Sequence, residues 1–140
     1  TRKALSPALR NVAPKKINED IVVPVSRIPD LIDGLERLSR ETRITIVNFG
    51  HAGNGNIHVN LLTNPDDPEE TERARDCLDA MFNLVLQLGG TLSGEHGIGL
   101  EKRDFVAREI DPVTLRLMND IKRQFDPNNI LNPGKGLPES

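Results

Sequence analysis

Gly50-His51-Ala52-Gly53-Asn54-Gly55-Asn56-Ile57-His58 is the stretch on which the fold turns, because it reads as a tight reversal between two β-rich runs. Arg43-Ile44-Thr45-Ile46-Val47-Asn48-Phe49 leads in and Val59-Asn60-Leu61-Leu62 leads out. Alternation on both sides of an Asn-Gly dipeptide is the sequence pattern of a β-hairpin, here closed by Asn54-Gly55. Folding about that dipeptide sets His51 opposite His58. Opposed residues on antiparallel strands share a face with Cβ atoms about 4.5 to 5.5 Å apart, so two imidazoles there can reach one ion. The remaining histidine follows an acid in Gly94-Glu95-His96-Gly97. Two histidines and a carboxylate make three protein ligands and leave a position open, the arrangement of a catalytic metal.

Working outward, Glu19-Asp20-Ile21-Val22-Val23 reads as a short strand stopped by Pro24, after an irregular basic arm over residues 1–18. Ser26 offers an N-cap to a helix running to about residue 41, with Ile28, Leu31, Ile32, Leu35 and Leu38 at helical spacing. Past the hairpin, the turn-forming residues 63–68 end the second strand. Glu69 and Glu70 open a long helix whose apolar stripe includes Ala74, Cys77, Leu78, Met81, Leu84, Val85 and Leu88, and Gly89-Gly90 closes it. That helix is expected to pack on the sheet, with Met81 and Phe82 in the core. A second glycine-rich stretch, Thr91 to Leu100, precedes a helix near Lys102 to Glu109. Asp111-Pro112 then starts another helix with Val113, Leu117, Ile121 and Phe125 on one side. Ile130 and Leu131 are expected to dock the turn-rich tail. The order predicts an α+β fold, a small antiparallel sheet backed by helices, with an open edge for chain not present here.

With 140 residues and a net charge of -3, the chain is one domain's worth, and no basic block provides a nucleic-acid footprint. Four Phe with no Trp or Tyr also argue against base-stacking platforms. The single cysteine, Cys77, lies on an apolar helical face and suits a reducing compartment. No apolar run reaches the roughly 18 residues of a membrane span. The chain begins at Thr1 and is expected to be a processed protein or an excised domain.

The histidine pair leaves two interpretations open. It is either a metal site or a cross-strand pair in a partly buried sheet with Glu95 as a loop acid. Clustering of every histidine in two glycine-rich turns favours the site, with His96, whose unperturbed pKa is near 6.5, as a base beside it. Gly50, Gly53 and Gly55 have the wrong spacing for a dinucleotide fingerprint, and Cys77 is mid-helix and a poor nucleophile. A non-catalytic assembly module using its open sheet edge, and a metal-dependent hydrolase, are the rival functions.

Five motifs carry a resemblance that covers essentially the whole chain: Arg2-Lys3-x-x-Ser6-Pro7; Lys16-Ile17-Asn18-Glu19-Asp20 with Val23-Pro24; His51-x-Gly-Asn-Gly-Asn-x-His58; Ser93-Gly94-Glu95-His96-Gly97-Ile98-Gly99 with Lys102; and Phe125-Asp126-Pro127-x-Asn129-Ile130-Leu131-Asn132-Pro133-Gly134-Lys135. Together they resemble the C-terminal domain of FAD-linked oxidases of the vanillyl-alcohol-oxidase superfamily, in the branch of glycolate oxidase, D-lactate dehydrogenase and D-2-hydroxyglutarate dehydrogenase. The resemblance implies a ferredoxin-like cap domain with a C-terminal helical segment. It also implies a parent enzyme that oxidises a small 2-hydroxy acid to the 2-oxo acid by hydride transfer to FAD. On that basis His51, His58 and Glu95 bind a divalent metal, often zinc, and His96 is the base. Arg2, Ser6 and Lys16 hold the substrate carboxylate, and Asn132 approaches the flavin. The family usually has Asp where this chain has Asn54, which spares the three ligands but alters their surroundings. FAD is held mainly by a separate FAD-binding domain, so the chain alone is expected to be inert. Implied partners are that domain and an electron-acceptor subunit, in the cytoplasm, with any inner-membrane attachment made through partners.

Overall fold

A computed structural model describes residues 13–138. Strand β1 (Lys15–Val22) is followed by helix α1 (Ile28–Thr42), entered through a 3-10 turn at Val25–Arg27. Next come β2 (Thr45–His51), β3 (Asn56–Thr63) and the long helix α2 (Pro68–Gln87). A 3-10 turn at Arg103–Phe105 leads into the single-turn helix α3 (Val106–Glu109), and α4 (Pro112–Phe125) follows. The sheet order is β1-β3-β2, antiparallel throughout. This is the α+β arrangement expected from the order of elements. No helix among the described residues is long and apolar enough to cross a membrane.

Strand alternation divides the sheet into two different faces. Ile21, Ile57, Val59 and Leu61 are buried on one face, with Ile17 and Ile46 packed beside them. Leu31, Leu35 and Leu38 of α1 and Ala74, Cys77, Met81, Phe82 and Val85 of α2 cover this face and complete the core. Met81 and Phe82 are fully buried, as expected. Gly34 is explained by the crossing of the two helices: a Cβ there would stand 2.5 Å from Leu84 Cδ2. The opposite face carries Lys16, Asn18 and Asp20 on β1, His58 and Asn60 on β3, and Phe49 and His51 on β2.

Several expectations are corrected. β1 begins at Lys15, inside the stretch read as an irregular arm, because Ile17, Glu19 and Ile21 alternate toward the helices while Lys16, Asn18 and Asp20 point the other way. Ser26 makes no cap; the residue ahead of α1 is Arg27, without a side-chain cap bond, and Pro29 supplies the helix start. The hairpin register also differs. Asn56, not His58, faces His51, and His58 faces Phe49. The loop is Ala52 to Gly55, a 3-10 turn closed by Gly55 at φ 79°, rather than Asn54-Gly55 alone. The slip is even, so both histidines keep the same face and become diagonal neighbours. Ile130 and Leu131 do not dock; they are 73% and 59% exposed. At the edge of the sheet, Thr91 forms a lone antiparallel bridge to Val22, which fixes the start of the second glycine-rich stretch against β1.

Candidate metal and catalytic site

Each functional side chain is placed by a local rule. Gly55 turns the chain so that β3 can return, and a side chain at that position would put its Cβ 2.0 Å from Val23 O. Asn54 Oδ1 accepts the Asn56 N–H at 3.2 Å, so Asn54 serves the turn and its lack of charge removes no donor from the histidine cluster. Across the sheet, Asp20 is the cross-strand partner of His58. Gly94 lies flat on the sheet, since a Cβ there would meet Asn56 and Val22 side-chain atoms at 2.8 Å.

The structure brings His51, His58, Glu95 and His96 together. Glu95 Oε1 lies 3.1 Å from His58 Nε2 and 3.8 Å from His51 Nε2. The donor atoms of His51, His58 and Glu95 all fall within 4.8 Å of one another. The two imidazoles meet edge to face with centroids 5.5 Å apart, and His96 stacks on His58 at 5.3 Å. His58 is the shielded member at 13% side-chain exposure, whereas Glu95 is 50% exposed, so the cluster opens to solvent on the loop side. Burial pushes the His58 imidazole below its usual value; Glu95 and Asp20 pull upward, and His96 and His51 add to the depression. A neutral imidazole is the form that ligates a metal. Two nitrogens and one carboxylate oxygen, with room beside them, fit a divalent ion of the zinc type.

Two residues quoted only as parts of motifs turn out to build the site: Asp20 and Lys102. Asp20 Oδ2 accepts the backbone N–H of Gly94 at 2.8 Å, of Glu95, and of His96 at 2.9 Å. Its Oδ1 accepts from Lys102 Nζ at 2.8 Å and lies 3.6 Å from His96 Nδ1, an approach longer than a hydrogen bond. Lys102 Nζ also donates to Asp20 O and Leu92 O, and lies 3.1 Å from Glu19 Oε2. Burial alone would raise the Asp20 carboxyl, but Lys102 and the loop N–H groups outweigh it and hold the group well below the usual aspartate range. For Glu19 burial wins over Lys102 and the carboxyl is raised. Asp20 carries a sequence signal, since it abuts the apolar run Ile21-Val22-Val23 and charged groups are rarely buried unless paired; Lys102, inside the charged run Glu101-Lys102-Arg103-Asp104, carries none.

Of the other site residues, Lys16 lies on the histidine-bearing face of the sheet. Arg2 and Ser6 lie outside the described residues. Asn132 sits in the C-terminal turn at φ 49° and accepts from Lys135 N–H; among the described contacts none joins it to the cluster. A mainly apolar cleft of about 550 Å³ runs along the loop's flank, lined by Gly94, Glu95, Ile98, Ile110, Met118 and Leu137 among others.

Several relatives match most of the chain. It is 38% identical over 134 residues to a glycolate oxidase subunit, GlcD, of Bacillus subtilis, which covers 96% of this chain and 28% of that protein. It is 40% identical over 119 residues to a D-lactate dehydrogenase of Anaerostipes hadrus, covering 83% of the chain and 25% of the relative. A D-2-hydroxyglutarate dehydrogenase of Stutzerimonas stutzeri is 34% identical over 139 residues, covering 96% and 29%. The chain thus spans less than a third of these relatives' length. The family profile described as FAD linked oxidases, C-terminal domain, matches residues 1–136, and with that extent of match the chain belongs to this family.

Proposed function

We propose that this chain is the substrate- and metal-binding domain of an FAD-dependent dehydrogenase that oxidises a 2-hydroxy acid of the glycolate or D-lactate type. The observation that carries the proposal is the approach of Glu95 to His58 and His51, with His96 stacked alongside. The relatives' names add the substrate class, since glycolate, D-lactate and D-2-hydroxyglutarate are all 2-hydroxy acids.

When bound, a divalent ion would polarise the substrate oxygens and the flavin would accept the hydride from Cα. The chain's own residues do the remaining work. His51, His58 and Glu95 form the metal-ligand set. His96 takes the hydroxyl proton as the hydride leaves, so that the 2-hydroxy acid loses two electrons and two hydrogens and becomes the 2-oxo acid. Arg2, Ser6 and Lys16 are the carboxylate-binding groups, and charge-assisted bonds of that kind orient an anionic substrate strongly. Asn132 approaches the flavin. As the family resemblance implies, FAD is held mainly by a separate domain outside these residues, for which relatives more than three times as long as this chain have room.

One feature also favours an assembly role. On α4, Val113, Leu117, Ile121 and Phe125 recur at four-residue intervals and are 65%, 59%, 51% and 83% exposed. Such a stripe suits a partner surface, the FAD-bearing domain in the first instance.

The catalytic part is tested in a full-length, FAD-containing enzyme carrying this domain. His96→Ala should lower kcat by about 10²- to 10⁴-fold with FAD retained. Unchanged turnover would remove His96 from its role.

A further inference from the structure

We propose that the buried Lys102–Asp20 ion pair is the positioning device of the metal site, acting through the backbone of residues 94–96. This rests on reading His51, His58 and Glu95 as metal ligands, and it assigns to Asp20 and Lys102 a part in setting up that ligand set.

The two oxygens of Asp20 have separate tasks. Oδ1 receives the Lys102 ammonium, while Oδ2 receives three consecutive N–H groups, those of Gly94, Glu95 and His96. A carboxylate that binds three successive amides fixes the path of the backbone between them. Ser93 extends the clamp, since its hydroxyl approaches Asp20 Oδ1 at 3.4 Å and accepts the Gly97 N–H at 2.9 Å. The whole turn is therefore drawn to one carboxylate.

The location of that carboxylate explains its effect on the ligands. Asp20 is paired across the sheet with His58, so a loop tied to Asp20 must deliver Glu95 beside His58 and set the His96 ring on the His58 ring. Lys102 holds the clamp from behind. The residue is 3% exposed, and its ammonium binds Asp20 through side chain and backbone, together with Leu92 O at the entry to the loop. One side chain thereby ties the strand end and the loop start to the same point. Neither Asp20 nor Lys102 reaches the open side of the cluster, since both are buried; their influence on a ligand passes through Glu95 and His96.

Amide hydrogen exchange on the metal-free, ¹⁵N-labelled chain tests this without a variant. The amides of Gly94, Glu95 and His96 should exchange at least about 100-fold more slowly than random-coil peptide before any metal is added. Coil-like exchange that becomes protected only with zinc would overturn the proposal, because the metal would then be ordering the loop. A second measurement uses cobalt(II) as a coloured substitute for zinc. Folded Lys102→Met should bind cobalt about 10- to 100-fold more weakly than wild type, with a spectrum that coincides with that of Glu95→Ala. A wild-type spectrum and affinity in folded Lys102→Met would overturn it. If wild type binds neither cobalt nor zinc, the metal reading fails, and amide exchange alone decides whether Asp20 presets the loop.

Discussion

Lys102 Nζ lies 2.8 Å from Asp20 Oδ1, and the two side chains are 4% and 0% exposed. Charges this deeply buried are tolerated only with partners. Replacing Lys102 with Met leaves Asp20 and Glu19 in the interior without their cation. The expected cost is about 3 to 5 kcal/mol, read from urea unfolding at pH 7. A loss below about 1 kcal/mol would show that the pair adds little to stability.

The pH dependence of stability follows from Asp20 with a definite sign. Its folded-state pKa is depressed, so the unfolded chain binds more protons across the interval between the two values. Stability supplied by Asp20 is complete above about pH 5 and is lost progressively as pH falls through and below the ordinary aspartate value of about 4. Between pH 7 and pH 3 the unfolding free energy should therefore fall more steeply in wild type than in Asp20→Asn. Parallel behaviour of the two proteins would contradict the assignment. Glu19, whose carboxyl is raised by burial, works in the opposite sense within both proteins.

Two glycines of the hairpin turn should respond very differently to Ala. Gly55 combines φ 79° with a backbone oxygen 2.0 Å from any added Cβ, whereas Gly53 has nothing within 4 Å of that point. Gly55→Ala is expected to destabilise by about 2 kcal/mol or more, and Gly53→Ala by less than about 0.5 kcal/mol. Equal midpoints in a denaturant titration would refute the turn geometry. The Gly55 variant should also bind metal more weakly, because the turn sets the spacing of His51 and His58.

These residues show how far the sequence could be read. The hairpin, the α+β order and the clustering of His51, His58, Glu95 and His96 follow from period-two alternation, glycine punctuation and the placement of every histidine. The sequence points to a different register because Asn-Gly is the strongest short hairpin signal, while here the chain uses a longer turn ending at Gly55. The even slip kept the histidines on one face. The clamp of Asp20 on residues 94–96 joins positions more than 70 residues apart, and no local pattern reports such a contact. The first residues of β1 carry no alternation signal because Lys15 and Lys16 are both charged.

Helix α4 supplies the converse of the core. Leu117 and Ile121 are more than half exposed, while Met81 is fully buried. Leu117→Asp with Ile121→Asp should change the unfolding free energy by less than about 0.5 kcal/mol per site, whereas Met81→Ala should cost about 2 to 5 kcal/mol. A large loss from the α4 pair would mean that this face packs within the domain.

Metal stoichiometry tests the central claim most directly. After equilibration with zinc and removal of the unbound ion, wild type should retain about one equivalent and the His51→Ala, His58→Ala variant almost none, matching a three-donor site that has lost two donors. Equal metal content in the two proteins, whether negligible or stoichiometric, would contradict the assignment of His51, His58 and Glu95 as the metal site.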